Sequence, residues 1–89
     1  MESVERIVVS PQRPMHDYVL LVLNLLGSGV EEVELQATKE NACMLADIVS
    51  GVIKESGGRV VQVGGGMEVE RRRRGRRRLI VYVKLRLQM

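Results

Sequence analysis

An 89-residue chain that is 45% apolar, with no Trp, no Phe and only two Tyr, makes one small domain (residues 1–89) on an aliphatic core. One Cys and one His exclude an intramolecular disulfide and a metal cluster, so no cofactor is expected and a reducing compartment fits the composition. The net charge of +3 hides a split: residues 1–70 carry five basic and eleven acidic side chains, residues 71–89 nine basic and none acidic, which points to a localised contact with a polyanion.

The opening M-E-S-V-E-R carries acids where a secretory leader carries bases, and the longest apolar run, residues 18–23, is too short to span a bilayer. A soluble, cytoplasmic protein is expected. V-E-R-I-V-V-S at 4–10 is β-branched and stops at S-P-Q-R-P, which predicts a strand entering a tight loop. Pro14 suits the first turn of a helix over 14–26, where its missing N–H is no loss. That helix is apolar almost all round, from Met15 through Tyr18 to Leu26, so one sheet face is too little cover and a second subunit is expected.

G-S-G at 27–29 ends the helix, and V-E-E-V-E-L-Q-A at 30–37 mixes apolar and acidic residues as a strand with one wet side does. Thr38 is the expected N-cap of a second helix over 39–56, in which Ala42, Leu45, Ala46, Val49, Val52 and Ile53 recur at helical spacing before Gly57-Gly58 stop it. R-V-V-Q-V and M-E-V-E follow as strand segments on either side of a break at Gly64-Gly65-Gly66, read as a bend or bulge that aims a hairpin away from the body. In the last strand Leu79, Val81, Val83, Leu85 and Leu87 take one face, and Tyr82, Lys84 and Arg86 take the other.

The order β-α-β-α-β-β implies an α+β two-layer sandwich. Its parts are a mixed four-stranded sheet, two helices on one face, and a long C-terminal β-hairpin arm over about residues 67–80, with Gly75 near the tip. Two successive β-α-β connections favour parallel neighbours among the first three strands, and the hairpin adds an antiparallel pair.

The arm carries Arg71, Arg72, Arg73, Arg74, Arg76, Arg77 and Arg78. From Met67 to its tip it extends on the order of 25 Å at about 3.3 Å per residue, enough to follow a duplex groove. Guanidinium is always charged and offers a planar fork of donors to phosphate. Like charges repel, so the free arm is expected to be mobile and to order on contact; neutralising four to seven phosphates gives a salt slope of roughly −4 to −6. A solvated loop is the plain alternative, but a run of one sign in an otherwise acidic chain favours polyanion binding. The arm lacks the aromatics on which single strands stack, Tyr82 being the nearest, so backbone and groove binding to a duplex is expected.

His16 and Asp17 are adjacent on a helix and do not face each other, which leaves a surface histidine. Cys43 has no His or second Cys nearby and reads as a small packing residue. The glycine triplet lacks the spacing of a nucleotide-binding loop. Lys39 at a helix start is placed to hold a phosphate, although Glu40 beside it opposes that.

Over R-P-M-H-D-Y-V-L-L-V-L-N-L-L-G-S-G-V-E-E-V-E-L-Q-A the chain resembles the Alba family of archaeal chromatin proteins. Pro14, Tyr18, Val19, Leu20, Gly29, Val30, Ala37 and Asp47 stand where that family has a basic loop and Pro, a helix with an Asn-Tyr-Val-Leu pattern, an alanine-containing turn, and a second helix with an internal Asp. The likeness runs from about Arg6 to Arg86. It implies a dimer that coats double-stranded DNA, in some members RNA, with paired arms along the minor groove; relatives include RNA-binding subunits of ribonuclease P. Where the family has two adjacent lysines this chain has Gln12 and Arg13, and at the family's basic turn it has Thr38-Lys39-Glu40. The resemblance implies contacts at these loops beside the arm, in a homodimer or in a heterodimer with an Alba paralogue.

The leading expectation is therefore a dimeric, sequence-independent binder of double-stranded DNA that organises chromatin in the cytoplasm. An RNA chaperone or ribonucleoprotein subunit is the alternative, and a module whose arm grips an acidic protein is a third. No acid, base and nucleophile converge, so an enzyme is not expected.

Overall fold

The computed structural model describes residues 3–71 and 73–88. Strand β2 (Glu32–Thr38) follows its sequence alternation: Val33, Leu35 and Ala37 face the core and are buried, while Glu32, Glu34 and Gln36 face the other way. β1 (Val4–Val8) lies parallel to β2, and β4 (Arg77–Leu87) lies antiparallel to both β2 and β3 (Val60–Arg71). The sheet order is β1-β2-β4-β3.

The first β-α-β unit thus joins neighbours, but the second does not, because β4 folds back between β2 and β3. Side-chain supply explains the order. No side chain of β4 from Ile80 to Arg86 is fully exposed, whereas β3 carries three glycines and an exposed far half. The strand able to pack on two sides takes the inner place, and the glycine-rich one goes to the edge. The glycine triplet does not interrupt β3, which runs unbroken from Val60 to Arg71; the irregularity is a register shift just before it, between Gln62 and Gly64.

Helix α1 (Met15–Gly27) starts one residue after Pro14 and buries Tyr18, Val19, Val22 and Leu26, while Met15 and Leu20 stay exposed. Helix α2 (Ala42–Glu55) buries Leu45, Ile48, Val49 and Val52, an i, i+3, i+4, i+7 stripe that includes Ile48 and leaves Ala46 on the surface. The helices approach closely at Gly51, where a Cβ would stand 3.1 Å from a Val19 methyl. Residues 39–41 form a 3-10 turn ahead of α2, and the Thr38 hydroxyl accepts from Asn41 Nδ2 at 3.3 Å instead of capping the backbone. Cys43 is exposed, so it is not the packing residue its size suggested. No helix among the described residues is long and apolar enough to cross a membrane.

Candidate nucleic-acid interface

β2 pairs with β4 only as far as Thr38 opposite Ile80, and β1 ends at Val8. Beyond that point β3 and β4 continue alone as a two-stranded ribbon, through Val69 opposite Leu79 and Glu70 opposite Arg78 to Arg71 opposite Arg77. At the tip Arg74 (φ 68°) and Gly75 (φ 71°) are both left-handed, and two such residues in succession reverse the chain. Arg71, Arg73, Arg74, Arg76 and Arg77 are exposed, and the first four line one hollow at the tip with Glu70. Arg78 is tied down: its Nε and Nη2 donate to Glu70 Oε2 at 3.2 and 2.8 Å. Arg72 lies outside the described residues.

The same end of the sheet carries both loops. Ser10 closes a turn in which the Arg13 N–H donates to the Ser10 carbonyl and the Gln12 N–H donates to the Ser10 hydroxyl. Buried Tyr18 fixes this turn from below, its hydroxyl donating to the Ser10 carbonyl and accepting from the Ser10 N–H. Gln12 and Arg13 project from it, exposed. Lys39 is exposed on the 3-10 turn. Next to it, hydrogen bonds from the Glu40 backbone and then from the Thr38 side chain hold the Glu40 carboxyl below its ordinary value, with help from Lys39 and Arg78, so it is ionised at neutral pH. A carboxylate there weakens any phosphate contact through Lys39. His16 is a surface residue whose Nδ1 stands 3.8 Å from Glu55 and not against Asp17.

The two faces of the sheet differ. On the helix side, a groove of about 530 Å³ between α2 and the β3–β4 edge is floored by Ala46, Val49, Ile53 and Val83 and rimmed by Ser50, Lys54 and Gln62. Along the ribbon the same side carries exposed Met67, Val69 and Leu79. On the open side, Glu32 and Glu34 are buried beneath their partners: Arg86 donates from Nε to Glu32 at 3.0 Å, Arg6 stands 3.4 Å from Glu34, and Gln36 donates to Glu34 at 2.6 Å.

No family model matches the chain, and no curated protein matches its sequence. Among solved structures, Alba from Thermoplasma volcanium superposes with a TM-score of 0.75 at 15% identity, covering 92% of this chain and 99% of the other. The chain has the Alba fold. Within the Alba fold, the sequence-predicted site residues gather at one end: the arm, the turn with Gln12 and Arg13, and Lys39. The sequence reading missed that Glu70 holds Arg78, and that Gln36 and Tyr82 sit side by side on the open face. The signal for the first was a hairpin register centred on Arg74, which sets Glu70 opposite Arg78.

Proposed function

We propose that this chain binds double-stranded DNA with little sequence preference, as a dimer that organises the chromosome in the cytoplasm. The observation that carries the reading is the ribbon: among the described residues, five exposed arginines project from the sheet end that also holds Arg13 and Lys39. Guanidinium groups without interleaved aromatics suit phosphates and a narrow groove, and carry no means of reading base sequence. The Alba fold supports the reading, as does the family resemblance of the sequence. Dimerisation is supported by the apolar strip from Ala46 and Ile53 across Val83 to Met67 and Val69, which a second subunit would cover, either another copy or an Alba paralogue.

The test is competition. Labelled random-sequence duplex DNA is bound at about 150 mM salt, where charge pairs across open solvent are screened beyond about 8 Å, and challenged with duplex RNA or polyglutamate. DNA winning supports the reading. RNA winning favours the ribonucleoprotein alternative, and loss of DNA binding at this salt with polyglutamate retained turns it toward an acidic protein partner.

A further inference from the structure

We infer that the open face of the sheet is a second nucleic-acid contact, one that takes an unpaired nucleobase on the ring of Tyr82; this rests on the nucleic-acid reading but uses a different surface. The chain has only two aromatic side chains, and Tyr18 is spent inside the body. Tyr82 stands on the inner strand β4, on the face that no helix covers, and remains partly exposed. The hydroxyl end of its ring lies across Gly66, where a Cβ would meet the phenolic oxygen at 3.0 Å and ring carbons at 3.2 and 3.3 Å. Glycine at that position therefore lets the ring lie down on the neighbouring strand as a platform. Lys84 Nζ is 6.0 Å from the ring centroid, at the outer limit of a cation–π contact, and so is placed for the phosphate beside a stacked base.

The neighbour across the strand is Gln36, and its amide is held in place. Arg6 holds Glu34, and Glu34 accepts from Gln36 Nε2, which leaves the Gln36 carbonyl oxygen as an acceptor for a donor on a base edge or a sugar hydroxyl. Beside it opens a cleft of about 270 Å³ lined by Val8, Gln36, Thr38 and Ile80 and closed by the Glu70–Arg78 pair. That is just below the roughly 300 to 1,000 Å³ of sites for drug-sized ligands, and walls shared between apolar Val8 and Ile80 and polar Gln36, Thr38 and the Glu70–Arg78 pair suit one planar ring with polar edges.

Charge is layered to match. The side chains of Glu34 and Glu32 are only 10% and 11% exposed, whereas those of Arg6 and Arg86 above them are 72% and 37% exposed. A strand laid over Glu32 and Glu34 meets cations first, and exposed Glu68, opposite Ile80, bounds that surface on the arm side. Shielding of the glycine backbone would account for the ring on Gly66, but not for the locked amide and the cleft next to it. Stacking on an aromatic with phosphates on flanking cations is the chemistry of single-strand binding.

The test titrates single-stranded oligouridylate and oligothymidylate into the full chain. Without Trp, intrinsic fluorescence comes from tyrosine, so a saturable quench reports on Tyr82 while buried Tyr18 stays silent. Both oligomers quenching supports a site for the base; uridylate alone supports the same site with the ribose hydroxyl on Gln36. Tyr82→Leu should weaken single-strand binding about tenfold and leave duplex binding unchanged, and Tyr82→Phe should keep both. Single strands that bind without quenching, or Tyr82→Leu within about twofold of the parent, overturn the site while duplex binding stands. Absence of all nucleic-acid binding in the parent overturns this inference together with the function proposed above.

Discussion

Replacing Arg73, Arg74 and Arg76 by Ala removes three of the five exposed arginines described on the arm and leaves the ladder below Arg71 and Arg77 in place. These side chains pack against nothing in the core, so the thermal midpoint should hold. Each phosphate neutralised releases about 0.9 counterion, so the slope of log affinity against log salt should flatten by about 2.7 per arm. Over the fourfold rise from about 50 to 200 mM, that is about 40-fold less loss of affinity than the parent shows. Fluorescence anisotropy of a labelled random-sequence duplex at several salt concentrations measures both quantities. An unchanged slope would refute the claim that the tip touches phosphate and move the contact to Arg13 and Lys39.

Glu70→Gln releases Arg78 and removes a carboxylate from the arginine hollow; duplex binding should tighten and its salt slope steepen by about one unit in the same assay. Ala46→Asp puts a charge on an exposed position of α2 at the apolar groove, so the folded chain should sediment as a monomer with its circular dichroism unchanged. Ile48→Ala empties a fully buried core position and should cost about 2 to 5 kcal/mol in urea unfolding. Glu40, whose carboxyl is held below its ordinary value in the folded chain, contributes stability that is present above the unfolded value and lost as pH falls through the folded one. An NMR titration should place its midpoint below that of a free Glu side chain.

Element order was legible because each element repeats its own period: two in β4, where Leu85 faces in and Arg86 faces out, and 3.6 in α2 from Leu45 to Val52. Strand order was not legible. The crossover rule ranks neighbours by chain connection, but the inner place went to β4, whose side chains fill both faces, over β3, whose glycines cannot. Gly64 and Gly66 read as a break because a glycine run is flexible in isolation; their role is to seat the Lys84 stem and the Tyr82 ring, which is a property of the register and not of the run. The arm's charge was plain from composition, while the pairing of Arg78 with Glu70 needed the hairpin to be centred on Arg74. Ionic rows on the open face were hidden in the same way: Arg86 and Glu32 are 54 positions apart and meet only once β4 lies beside β2.

The most direct test of the central claim is the salt dependence of binding by the unaltered chain to random-sequence duplex DNA. With the five exposed arginines described on each arm the slope should be about −4.5 or steeper. Changing the duplex sequence should leave it the same. A shallow slope near zero, or an affinity that follows the base sequence, would contradict an arginine ribbon that holds the backbone.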